Sequence, residues 1–180
     1  MKSFKACSLL LLTVAAMAPG AIAAEKTAAH SAAKNSTFDK FKDLAGEWEV
    51  AHTSSEHGMP GGSISYKVTA GGAAVVETTF QGTPHEMLTM YYVDNDGGLC
   101  LTHYCVLGNR PHMRSLPQTS ADTVVFKCDH KDNAAIENED HMHQATFTFL
   151  DRDHVKSEWV LYKDGKADSA HGFTLVRKKK

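Results

Sequence analysis

From Phe38 onward the apolar positions follow two regimes. Phe38, Phe41 and Leu44 recur at helical spacing, with Ser36 or Thr37 as a cap and Asp39 near the positive end. This predicts a short helix that ends by Gly46. Beyond it the period is two. Val124, Phe126 and Cys128 oppose Lys127 and Asp129. Ala145, Phe147 and Phe149 alternate with Gln144, Thr146 and Thr148, and Val155, Ser157, Trp159 and Leu161 alternate with Lys156 and Glu158. Clusters of Gly, Pro, Asn and Asp interrupt the alternation, among them His57–Gly62, Gly71-Gly72, Gly82-Thr83-Pro84, Asp94–Gly98, Gly108–Pro111 and Asp164-Gly165. Nine such turns separate ten candidate strands. Most gaps are too short for a crossover helix, so neighbours should pair antiparallel. A long meander tends to close, because closure removes exposed edges. The predicted fold class is all-β: a roughly ten-stranded antiparallel up-and-down barrel with one short N-terminal helix and an enclosed cavity. A two-sheet sandwich would need longer crossing connections than the chain offers outside 129–140.

The first residues read differently. Lys2 and Lys5 precede an apolar run from Ser8 to Met17, Pro19 and Gly20 break it, and Ala21-Ile22-Ala23 has small residues where a signal peptidase cuts. The run is shorter than the roughly 20 residues a spanning helix needs, so no stable membrane insertion is expected. Residues 1–23 are predicted to be a signal peptide and 24–35 a flexible lead-in. Residues 36–180 are the barrel domain, and the location is periplasmic or secreted. An oxidising compartment permits a disulfide among Cys100, Cys105 and Cys128. Cys100 and Cys105 would lie about 16–17 Å apart on one strand, so a bridge would involve Cys128; three free thiols are the other outcome.

Composition adds exclusions. Of 180 residues, 42% are hydrophobic and 22% charged, which fits a globular domain and not a disordered chain. A formal net charge of −2 leaves no basic footprint for nucleic acid. The terminal run Arg177–Lys180 reads as a solvated chain end.

The stretch Leu44–Val50, with Gly46-Glu47-Trp48, resembles the G-x-W opening of calycin-type barrels, the lipocalin and fatty-acid-binding superfamily. The resemblance implies that Trp48 plugs one barrel end and that Arg177, at the end of the last strand, packs on it. Phe38–Arg177 as a whole is similar to a family of secreted bacterial lipocalin-like domains. The similarity lies at Gly82–Met87, Leu101–Cys105, Gly108–Arg114 and His141-Met142-His143. It implies a fold and carries no activity with it. More distantly, the chain is similar to nitrobindin-type haem barrels, whose haem-binding His lies on the last strand; His171 is the matching position. Their opening, G-x-W-x-G-x-G, lacks its two later glycines here, at Val50 and His52.

Candidate chemistry centres on histidine. The chain has no dinucleotide fingerprint, P-loop, nucleophile elbow or C-x-x-C. His85-Glu86 starts like a zinc-protease motif, but Thr89 stands where the second His would be. His141 and His143, two apart on a strand, can offer two imidazoles to Zn or Cu, and His103 and Cys105 form a second such pair. His57, Met59, Met87, His112 and Met113 add imidazole and thioether nearby. Strict alternation continues the inward face of Ala145 and Phe147 to His141 and His143, and groups His103 and Cys105 with Leu101. That would gather three imidazoles and a thiol at one end of the cavity. The predicted ligand-binding residues are Trp48, His85, Met87, His103, Cys105, Phe147 and Trp159. The predicted metal ligands are His141, His143 and His103, with His171 for haem. The function expected is a non-catalytic, exported barrel holding a small, partly apolar molecule in its interior. The alternative is a transition-metal or haem protein. No nucleophile–base–orienter set supports an enzyme.

Overall fold

The computed structural model describes residues 35–54, 63–117, 120–129, 131 and 133–179. The predicted signal peptide, the lead-in before Asn35 and the His57–Gly62 turn lie outside these residues. Helix α1 (Ser36–Asp43) is followed by ten strands: β1 (Gly46–Thr53), β2 (Ser63–Thr69), β3 (Ala74–Thr79), β4 (Met87–Val93), β5 (Leu99–Tyr104), β6 (His112–Ser115), β7 (Thr123–Cys128), β8 (His141–Phe149), β9 (His154–Lys163) and β10 (Lys166–Arg177). Every strand pairs antiparallel with its neighbours in sequence, and β1 pairs with β10, closing the barrel. No edge is left unpaired, which is the physical gain of closure. The alternative of two separate sheets is thereby excluded.

The predicted helix exists, with a different cap. Asn35, one residue ahead of Ser36, accepts hydrogen bonds at its side-chain oxygen from the Thr37 and Phe38 amides. Helix α1 stops at Asp43, and Gly46 opens β1 instead of ending the helix.

Helix α1 fills one end of the barrel. Phe41 is fully buried; it stacks on Tyr91 at 4.5 Å and meets Phe126, Phe147 and Phe149 edge-on. Trp48 closes the same end. Its indole N–H donates to the Leu44 carbonyl at 2.7 Å, and the Arg177 guanidinium lies over its ring at 4.3 Å. Arg177 also donates to the carbonyls of Asp43 and Ala45, at 2.7 and 2.9 Å, so one side chain caps the helix end and seals the barrel. Gly46 has a φ of 134°, and a Cβ there would stand 3.3 Å from Arg177. The G-x-W opening is thus explained by contact: a bare backbone, then the ring that the arginine covers.

Antiparallel order places the β3–β4, β5–β6, β7–β8 and β9–β10 connections together at the far end, away from α1. The candidate chemistry lies there.

Candidate functional site: an interior imidazole and a separate His–Cys cluster

The far half of the barrel holds a cavity of about 30 Å³, whose walls include Glu77, Met87, His103, Met142, Trp159 and His171. Glu77 lies inward on β3 between Val75 and Thr79, a carboxyl on an apolar face. Tyr91 donates its hydroxyl proton to Glu77, and Thr79 donates to the other carboxyl oxygen at 3.2 Å. Burial raises the Glu77 carboxyl above the usual carboxylate range, while these hydrogen bonds pull it back down. Burial and then the Glu77 charge raise the Tyr66 and Tyr91 hydroxyls, so both stay protonated.

His103 on β5 stands beside this network: its Nδ1 is 2.9 Å from the hydroxyl of Thr89, its cross-strand neighbour on β4. The remaining ring nitrogen of His103, Nε2, is buried and has no hydrogen-bond partner among the described residues. It belongs to a ring that lines the cavity. Burial alone lowers the His103 pKa to about 4, so the ring is neutral at pH 7. Trp159 lies against the ring at a centroid distance of 4.7 Å.

Of the predicted ligand residues, Met87, His103 and Trp159 meet at this cavity. Phe147 lies one layer deeper, edge-on to Trp159 at 6.0 Å. Trp48 is at the opposite end, where it closes the barrel. His85 is exposed in the β3–β4 loop. Cys105 lies just past β5, half-buried, with its thiol 4.0 Å from the Met87 sulphur. Burial raises that thiol's pKa. Cys100, Cys105 and Cys128 are all free thiols.

Strict alternation does not hold at the start of β8. The register against β9 shifts between Met142 and Gln144, a bulge of one extra residue. The cavity therefore receives Met142. His141 and His143 line a separate depression of about 280 Å³ beneath the β7–β8 loop, together with Cys128 and Tyr162. The three imidazoles and the thiol of Cys105 do not gather at one end of one cavity. His103 is absent from the cluster around His141 and His143; Cys128 takes its place, and the donor atoms of Cys128, His141 and His143 all lie within 4.8 Å of one another. Burial pushes the Cys128 thiol up to about 12.

The position expected for haem, His171, lies in the interior. His171 lines the interior cavity, and its Nε2 is 3.3 Å from the Ser169 hydroxyl. A cavity of about 30 Å³ has room for one or two water molecules. A porphyrin does not fit there.

Several residues placed here were not among the sequence candidates: Glu77, Thr89, Tyr91, Met142, and Cys128 beside the His141–His143 pair. Glu77 carried a readable signal, a charge on the inward parity of β3.

No protein-family model and no curated protein matches the chain. Among solved structures, a lipocalin-like protein from Bacteroides uniformis aligns over 76% of this chain and 99% of its own length, with 14% identity and a TM-score of 0.24. The barrel assignment rests on the closed ring of strand pairs described above.

Proposed function

We propose that this chain is an exported binding protein that takes a small, partly apolar molecule into the far half of its barrel. The observation that carries the reading is His103 Nε2, buried without a partner on a ring that lines the cavity; with Thr89 accepting from Nδ1, this nitrogen offers a lone pair to an occupant. A buried polar atom left unpaired costs about 1–3 kcal/mol, and an O–H or N–H donor on an occupant would recover it. Trp159, Phe173, Ile64, Met87 and Met142 supply the apolar surface around that point. Pockets for organic ligands commonly measure roughly 300–1,000 Å³, so the cavity as it stands is a closed form.

Two features support opening at this end. Met87 and Met142 are unbranched and adjust their rotamers readily. Phe80, in the β3–β4 loop, folds inward against Phe173 with a φ of 57°, a left-handed backbone uncommon for a bulky residue. Swinging Phe80 outward would release that strain and unroof the cavity on the Phe173 side. Export is supported by the leader-like residues 1–23 alone.

The test uses Trp159 fluorescence, in a Trp48→Phe background, titrated with phenol and indole as probes carrying one donor on an apolar ring. Saturable quenching is expected, weakened at least tenfold by His103→Phe and strengthened by Phe80→Ala. Quenching that is absent, or that is the same in His103→Phe, would contradict the interior site and leave the cavity to water.

A further inference from the structure

We propose that Cys128, His141 and His143 form a binding site for one thiophilic transition-metal ion, Zn²⁺ or Cu⁺, at the far rim of the barrel. This inference is independent of the interior ligand, because the cluster lines a different depression and shares no residue with the cavity.

The local backbone builds the site. Cys128 is the last residue of β7, and the β8 bulge brings His143 beside it in addition to His141. His141 and His143, two apart on β8, present their imidazoles together, and the Cys128 sulphur joins them within 4.8 Å. The cysteine thiol points at the bulge itself, 3.5 Å from the Met142 carbonyl. All three side chains belong to residues less than a tenth exposed.

The hydrogen bonds leave metal-ready nitrogens. His141 Nδ1 lies 2.7 Å from the Glu139 carbonyl oxygen, which can only accept, so Nδ1 carries the proton. His141 Nε2 then has a lone pair, and it faces His143 Nδ1 at 3.0 Å. A carbonyl or carboxylate behind a ligating histidine is the usual outer-shell support of a metal site. The two nitrogens that share a proton in this structure are the two that an ion would bridge. A tetrahedral zinc, with Zn–N of about 2.0–2.1 Å and Zn–S of about 2.3 Å, sets its donors roughly 3.3–3.6 Å apart. The present separations, within 4.8 Å, reach that geometry by opening the two nitrogens by a few tenths of an ångström and drawing the sulphur inward. Tyr162 holds the His143 ring from behind, stacked at 3.9 Å and 15°. The mixed donor set, one sulphur and two imidazoles, selects soft and borderline ions over Mg²⁺ or Ca²⁺. Binding requires that Cys128 give up its thiol proton and His143 its Nδ1 proton to solvent or to its own Nε2, so two ligand positions change protonation as the ion enters. Three protein donors leave a fourth position open to solvent from the depression.

The experiment is a cobalt titration of the full mature protein, reduced and stripped of metal, followed by zinc competition. Co²⁺ should bind with a stoichiometry of one and produce a near-ultraviolet thiolate-to-cobalt band that zinc abolishes. Cys128→Ser should lose the band, and His143→Gln should weaken binding at least 100-fold. His154→Gln, at a histidine paired with Asp151 outside the cluster, should change neither. Zinc should also raise the unfolding temperature of the unaltered protein but not that of Cys128→Ser, which keeps the assay informative if one variant folds poorly. Absence of the band in the unaltered protein, or its survival in both Cys128→Ser and His143→Gln, would overturn the proposal.

Discussion

At the scale of single residues, the decisive group is His103. Its pKa is near 6.5 in an unfolded chain and about 4 in the barrel, lowered by burial. Between those values the unfolded state binds more protons than the folded one, so stability rises with pH. The contribution is fully present above pH 6.5 and is lost as pH falls through about 4. A shift of that size corresponds to about 3 kcal/mol at most. Glu77 works in the opposite direction: its raised folded pKa favours the folded state at low pH and withdraws that support as pH rises past its unfolded value. The two are separated by mutation. Urea unfolding of His103→Phe between pH 4 and 7 should show a markedly flatter dependence than the parent; an unchanged slope would refute the assignment. Thr89→Val removes the hydroxyl partner of His103 Nδ1 and should cost about 1–3 kcal/mol, measured by the same unfolding curves. Glu77 was visible in the alternation of β3 as a charge among inward residues. The burial of His103 and its unpartnered Nε2 were not visible, because they follow from packing between strands that no local pattern encodes.

At the scale of elements, α1 and the seal at Trp48 hold the closed end. Phe41 is surrounded by the rings of Tyr91, Phe126, Phe147 and Phe149, so Phe41→Ala should destabilise by about 3–5 kcal/mol in denaturant titrations. Arg177→Lys keeps the charge but loses the flat cation over Trp48 and the fork that reaches Asp43 and Ala45. A loss of about 1–2 kcal/mol is expected, with Trp48 emission shifted to longer wavelength as solvent reaches the ring; a neutral effect would show that the seal is not Arg177. The strands and turns were readable because each turn carries Gly, Pro, Asn or Asp, and alternation is a local property. The β8 bulge was not readable. It inserts one residue into a run that alternates without fault in the sequence, and it diverts His141 and His143 from the cavity to a cluster with Cys128. Strict alternation continued past the bulge merges two separate clusters into one. The cap moved for a related reason: Asn35, Ser36 and Thr37 can all cap, and only the actual path of the chain chooses Asn35.

At the scale of the whole molecule, the barrel has a sealed end and an end where chemistry collects. The aromatic rings packed around Phe41 fill the end beside α1, and the proposed occupant would enter from the far end, past Phe80. Among the described residues no helix is long and apolar enough to cross a membrane. If the leader is cut after Ala23, intact-mass measurement of protein recovered from an exporting host should show a chain beginning at Ala24; an uncut chain would contradict export by that route. The central claim is that an uncharged imidazole offers its Nε2 lone pair to the interior. Nitrogen NMR of the histidine rings tests it most directly. The account predicts that the His103 ring at pH 7 carries its proton on Nδ1, titrates near pH 4, and moves its Nε2 resonance when phenol binds. A proton found on Nε2, or a ring that titrates near 6.5 like an exposed histidine, would contradict it.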